Sequence, residues 1–464
     1  MKNKILPFLV LFLVFVPTAC LHAQGWVKKI VRKNMVSLTT YDKDQQPLHY
    51  GSAFFITDTG VAISNYELFK DAYSAIVTDS KGKTYAVTRI MGADLAYSLV
   101  KFQTEMRKVT PLHLLNNTSI GTKVITPSYS NTSQKNYPTT TITDISTLSD
   151  GGLYYTLADT LTHNLIGSPL LNEDGLLVGI IQPSIEGYGY AVGSQIINEL
   201  QIKAIGSKSI TYALNNIHIA KALPDTMEEA LVFLYMRSNT MNDDEYMLLI
   251  NDFVNKYPEN AEGYIRRARG NIEQQHYEEA DSDLHLFIDK SNDKGVAYAE
   301  VADAIYSKLI YQPLPTFNTW TFSLVKDYID KAIAVYPKKT DYKFLRANTL
   351  TALGEFENAI IELDSALALM LQPLPKQASR YVMRRAQLYE QVGRFRDAVK
   401  DYNTYIYLEE QKVTDEFYYN RAVLEFKSRM YQQCLDDLEK AIELNPQESL
   451  YKETQTKIKE ALQI

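Results

Sequence analysis

Four times in the C-terminal half of this chain a small residue is followed twelve positions later by another. The pairs are Ala268 and Ala280, Ala347 and Ala359, Ala386 and Ala398, and Ala422 and Cys434. The first member closes a short motif: Tyr264-Ile-Arg-Arg-Ala268, Phe344-Leu-Arg-Ala347, Val382-Met-Arg-Arg-Ala386 or Tyr418-Tyr-Asn-Arg-Ala422. The second member follows an aromatic by three positions, at Tyr277, Phe356, Phe395 and Tyr431. A fixed period of this kind constrains the fold more than any composition does. Two antiparallel helices can approach closely where both carry small side chains, and one such pair buries its apolar face only by stacking on the next. From near Pro224 onward the apolar residues keep three-and-four spacing, so the helical texture runs to the end of the chain.

This half resembles the tetratricopeptide (TPR) repeat, with Glu443-Leu-Asn-Pro446 supplying the closing helix end. About five helical pairs are expected over Met227 to Leu462, the repeat domain being residues 227–464. One unit has its helices at Val296 to Leu309 and Leu324 to Val335, around a proline-containing insertion at Gln312 to Thr319. A degenerate first unit spans Met227 to Pro258. Solenoids of this kind present a concave surface, and the resemblance implies a protein or peptide ligand in that groove. The candidate groove residues on the first helices are Arg269, Phe344, Asn348, Arg380, Met383, Gln387, Tyr419 and Lys427, a mixed aromatic, amide and basic set. The same set equally suits a solvated face.

From Trp26 to about Ile205 the texture is different. Short β-rich runs such as Met35-Val-Ser-Leu-Thr-Thr, Ala53-Phe-Phe-Ile and Leu176-Leu-Val-Gly-Ile-Ile alternate with turn pairs such as Lys81-Gly82, Asp150-Gly151 and Asp174-Gly175. This is the pattern of an all-β barrel or sandwich. Residues 24–205 form the expected β domain, and 206–226 the expected linker.

Three segments of that domain, in order, resemble HtrA-type, trypsin-like serine proteases, whose fold is a double β-barrel. Gly51-Ser-Ala-Phe-Phe-Ile-Thr-Asp-Thr-Gly60 leads into Ser64-Asn65-Tyr66-Glu67, and Glu67 stands where that family carries its catalytic histidine. Asp94, ahead of Leu95-Ala-Tyr-Ser-Leu-Val-Lys101, stands at the triad aspartate. Asn164-Leu165-Ile166-Gly167-Ser168-Pro169-Leu170 aligns with G-N-S-G-G-P-L and places Ile166 at the nucleophilic serine. The family's mechanism needs a hydroxyl nucleophile, an imidazole base and an orienting carboxylate. Isoleucine carries no nucleophile, and a carboxylate is a weak base near neutral pH. Asn164 also replaces the glycine whose amide helps build the oxyanion hole.

A shifted register offers Ser168 as the only nearby hydroxyl and His163 as the only nearby imidazole. Ser168 precedes Pro169, at the family's second glycine, and His163 is on the wrong barrel to act as base. The expectation is a non-catalytic domain, a pseudoenzyme with degenerate triad positions Glu67, Asp94 and Ile166. The rival is an active endopeptidase that recruits substrates through its repeats. Glu67 and Asp94 read as two solvated carboxylates at a vestigial cleft, with a metal or shared-proton pair as the sharper alternative. The chain calls for no cofactor and no metal.

The N-terminus reads as an export signal. Lys2 and Lys4 precede the apolar run Ile5 to Val16, which is too short to span a bilayer, and small residues follow. Residues 1–23 are the expected signal peptide, with cleavage after Ala23. Acylation at Cys20 is the lipoprotein alternative, and membrane association is expected only in that case. The expected location is the periplasm or cell envelope. Cys434 is the only other cysteine, so no intrachain disulfide is expected. A net charge of −7 argues against nucleic acid as a partner and leaves proteins and peptides.

Overall fold

The computed structural model describes residues 19–115, 117–129, 137–148, 151–185, 187–204, 208–238, 241–409 and 413–463. The apolar run Ile5 to Val16 of the expected leader lies outside them, as does Asp150 of one expected turn. The chain divides into two compact units, Met1–Phe253 and Val254–Ile464.

Among its described residues the first unit holds twelve strands: β1 (Met35–Tyr41), β2 (Pro47–Phe55), β3 (Val61–Asn65), β4 (Ser74–Thr78), β5 (Thr84–Asp94), β6 (Leu99–Thr104), β7 (Lys123–Ile125), β8 (Thr139–Thr147), β9 (Leu153–Leu157), β10 (Pro169–Leu171), β11 (Leu177–Ile185) and β12 (Tyr188–Gly193). They close into two six-stranded barrels. The first runs β1-β2-β3-β6-β5-β4, and the second follows the same order with β7 to β12. Closure pairs every edge, which is how a set of short strands avoids exposing unmatched backbone. The alternation in Met35-Val-Ser-Leu-Thr-Thr-Tyr sends Val36 and Leu38 into the first barrel. Phe54 and Ile63 of that barrel meet Leu171, Leu177, Ile180 and Val192 of the second in one apolar cluster, which places a core at the junction of the barrels.

A helix precedes the strands where none was expected. It is α1 (Ala19–Asn34), and its Val27 and Val31, four residues apart, are buried in the same junction cluster. Both lie beyond Ala23, so cleavage there keeps this packing. The short α2 (Ile196–Glu199) adds Ile196 and Ile197 to the cluster.

The expected linker, 206–226, is described from Lys208 onward. It contains α3 (Lys208–Asn215), whose Ala213 and Leu214 are buried, as is Ile217. The chain then runs beside β5, where Ile90 donates to the Ala220 carbonyl and accepts from the Ala222 amide, both at 2.8 Å. Two further helices begin within this unit, α4 (Met227–Arg237) and α5 (Asp243–Lys256). Arg237 of α4 donates to Asn215, and Asp252 of α5 pairs with Arg89 of β5 at 2.7 Å. The pair read as a degenerate first repeat therefore lies almost wholly in the barrel unit.

Among its described residues the second unit contains five helical pairs and a closing helix: α6 (Ala261–Glu273) with α7 (Tyr277–Lys290), α8 (Lys294–Tyr311) with α9 (Phe322–Val335), α10 (Thr340–Ala352) with α11 (Phe356–Ala368), α12 (Ser379–Gln391) with α13 (Phe395–Glu409), α14 (Asp415–Lys427) with α15 (Tyr431–Leu444), and α16 (Ser449–Leu462). All eight of the small residues at twelve-position spacing are fully buried. Asn260, Asp293, Thr321 and Thr414 cap helix N-termini with side-chain oxygens that accept from backbone amides of the first turn. Gly354 and Gly393 adopt positive φ at the turns between helices, a conformation that costs glycine nothing. The expected insertion falls between α8 and α9, where the buried Lys308 ammonium lies over the Tyr277 ring and donates to the Pro315 carbonyl at 2.7 Å.

Candidate functional site

The degenerate triad positions sit on three turns. β3 ends at Asn65, whose Oδ1 accepts from the Glu67 amide at 2.7 Å and starts a single 3-10 turn, Tyr66–Leu68. Tyr66 is buried beneath it, its amide donating to the Ser98 carbonyl at 2.9 Å, while Glu67 points outward and is exposed. Burial pushes the Tyr66 phenol up from its ordinary range, so it stays neutral at working pH. Asp94 ends β5. Its Oδ1 accepts from the amides of Ala96 at 2.7 Å and Tyr97 at 3.1 Å, so the carboxylate closes its own turn. Across the ladder Asn65 and Asp94 both stand opposite Leu99 of β6, and Ser98 Oγ donates to Asn65 Oδ1 at 3.3 Å.

The third turn comes from the second barrel. A 3-10 turn, His163–Leu165, ends at Ile166, which is half-buried. Gly167 follows with φ +79°, and a Cβ placed on it would stand 2.9 Å from the Asn65 Cβ. Only glycine allows this approach, and it sets the residue after Ile166 directly against the residue that starts the Glu67 turn. Ser168 is held between the preceding 3-10 turn and β11: its amide donates to the Leu165 carbonyl at 2.9 Å and its carbonyl accepts from the Ile181 amide at 3.0 Å. Its hydroxyl is buried and has no hydrogen-bond partner among the described residues. His163 and Asn164 are exposed, the latter accepting from the Thr162 hydroxyl.

In the repeats, half of the candidate groove side chains are occupied by packing within the array. Phe344 packs on Tyr381 with ring centroids 4.7 Å apart, Asn348 accepts from Arg384 Nε at 2.9 Å, Met383 sits at the edge of the core, and Tyr419 packs on Tyr451 at 5.0 Å. These four are half-buried. Exposed are Arg269, paired with Glu300 at 2.5 Å; Arg380, paired with Asp341 and lying over Phe344 and Tyr381; Gln387, accepting from Arg384 at 3.2 Å; and Lys427, over the Phe395 ring.

One recurrent group was missed by the sequence reading. Arg267, Arg346, Arg385 and Arg421 each reach an acid sixteen residues on, at Asp283, Glu362, Asp401 and Asp437. The signal was present: an arginine directly before each first-helix alanine and an acid three positions after each second-helix small residue.

Two closed barrels of one topology, followed by stacked helical pairs, define a trypsin-like fold joined to a helical repeat array. Residues 51–180 match the trypsin-like peptidase domain, and residues 416–448 match the tetratricopeptide repeat. No curated protein matches the chain. The chain thus joins a peptidase-type module to repeats of a class that mediates contact between proteins.

Proposed function

We propose that this is a non-catalytic, exported interaction or scaffold protein of the periplasm or cell envelope, in which the barrels are a folded platform and the repeats engage another protein or a peptide. The observation that carries the reading is the Ile166-Gly167-Ser168 turn. Its first residue offers hydrocarbon where the family has its hydroxyl, and the adjacent hydroxyl of Ser168 is buried against β11. No imidazole accompanies Glu67 in its turn, and Asp94 is committed to backbone amides. A triad acts through geometry and roles together, so a serine elsewhere in the chain does not replace it. The alternative reading, an active endopeptidase that recruits substrates through the repeats, is supported by the peptidase-type module alone.

Export with cleavage after Ala23 is part of the proposal, with Cys20 acylation as the variant that would tether the protein to a membrane. The experiment compares two variants of the intact chain in capture from envelope extract: Arg269→Ala/Gln387→Ala in the array and Glu67→Ala/Asp94→Ala in the barrels. Loss of capture only in the array variant is the expected result. Loss only in the barrel variant would make the barrels the binding surface.

A further inference from the structure

The turns between first and second helices differ in charge along the array. The first presents Glu278 and Glu279, and that between α10 and α11 presents Glu355 and Glu357. The next two are basic, with Arg394 and Arg396 before and within α13, and Lys427 and Arg429 around the end of α14. These two turns border an open surface hollow of about 480 Å³ lined by Arg394, Phe395, Arg396, Lys427, Ser428 and Arg429 together with Gly393 and Asp397.

Arg394 is neutralised by Asp397 at 2.9 Å and reaches Glu357 at 3.7 Å. Arg396, Lys427 and Arg429 are exposed and have no acidic partner among the described residues. Lys427 rests on the Phe395 ring with its centroid 5.0 Å away, an apolar support that leaves the ammonium free to take an anion. The N-terminus of α13 opens on the same space and adds its positive end. Ser428 lines the hollow, is 7% exposed overall, and its Oγ is buried without a partner among the described residues. Three exposed, uncompensated cations bordering one hollow form a donor set for an oxyanion, and the Ser428 hydroxyl beneath them, without solvent access, is no part of it. Arg429 also keeps φ at +64° where the two preceding repeats place glycine, a conformation that disfavours a side chain, although Gln275 does the same in the first repeat.

We infer that this hollow receives the carboxylates of an acidic segment on the protein partner, at the turn edge of the array, where Lys427 is the one residue it shares with the candidate groove set. The inference rests on the reading of the array as the protein-binding half. The net charge of −7 makes the rest of the chain repel such a segment, so the attraction is local and sets where the segment lies.

The test is fluorescence anisotropy of a labelled glutamate-rich peptide with the intact chain, beside its glutamine counterpart and with inorganic phosphate as competitor. The glutamate peptide should bind, the glutamine peptide should not, and affinity should fall with added salt. Arg396→Ala/Lys427→Ala/Arg429→Ala should weaken binding by about tenfold. Arg429→Gly, which relaxes the turn while removing one charge, should weaken it by about twofold to threefold. Unchanged affinity in both variants overturns the hollow as the site. If Arg269→Ala/Gln387→Ala then lowers affinity, the array reading stands without it. Failure of the peptide to bind while phosphate does bind overturns the carboxylate assignment, and failure of both overturns the site altogether.

Discussion

Arg385 clasps Asp401 at two points, Nε to Oδ2 at 2.8 Å and Nη2 to Oδ1 at 2.7 Å, across the gap between α12 and α13. The same clasp joins Arg267 to Asp283 and Arg421 to Asp437, and a single-point version joins Arg346 to Glu362. The carboxylates of Asp283, Asp401 and Asp437 are almost fully buried, so three of the helical pairs set their register with a two-point charged contact.

Removing one partner should therefore cost more than removing both. Asp401→Ala leaves Arg385 with only the more exposed Asp364, and is expected to cost about 2–4 kcal/mol. Arg385→Leu/Asp401→Leu should cost clearly less. Urea unfolding followed by helical circular dichroism measures both, and equal losses would mean that the pair carries no desolvation penalty.

The last repeat adds a second acid to its clasp. Glu425 is 3% exposed, its Oε1 is 3.8 Å from Arg421 Nε, and Asp437, Asp436 and Cys434 are its other titratable neighbours. Burial, then the charge of Asp437, raises its carboxyl to about 8 against the pull of Arg421. A raised acid holds its proton longer in the folded state than in the unfolded one. Its contribution is therefore whole below about pH 4.5 and is lost as pH climbs towards 8. Glu425→Gln should flatten the stability profile between these limits and gain about 1–3 kcal/mol at pH 8. Parallel pH slopes for the two proteins would show that Glu425 ionises freely in the fold.

The barrel junction makes a sharper steric demand. Gly167→Ala must place a Cβ 2.9 Å from that of Asn65 at φ +79°, whereas Gly82→Ala meets a similar φ with nothing within 4 Å. The second change should cost about 1 kcal/mol and the first about 2–4 kcal/mol, read from thermal unfolding. Equal costs would mean that the Ile166 turn does not press on Asn65.

Much of this fold was legible. The twelve-position spacing located the helix pairs from Ala268 to Cys434 because small residues are needed wherever two helix backbones meet, and strand alternation with turn pairs located the barrels. The helix α1 was not read, because Trp26, Val27, Ile30 and Val31 lie between an apparent leader and the first strand and their spacing covers barely two turns. The stretch before α4 was expected as the linker; its buried apolar residues, Ala213, Leu214, Ile217 and Ile219, are few and show no sustained period. At the triad positions the sequence spoke through residue type alone. The close approach of Gly167 to Asn65 depends on a backbone angle that no spacing reveals. The groove set was harder still: exposure cannot be read from residue type, and Phe344, Asn348, Met383 and Tyr419 are half-buried within the array.

The central claim, that the barrels do not cut, is tested most directly by incubating the purified full-length chain with unfolded casein and, in parallel, with a serine-directed fluorophosphonate probe. No cleavage and no labelling are expected from the wild type, and Ile166→Ser alone should restore neither, since a hydroxyl without an imidazole base is not activated. Casein cleavage and probe labelling that both vanish in Ser168→Ala would contradict the account and establish a working nucleophile in the Ile166-Gly167-Ser168 turn.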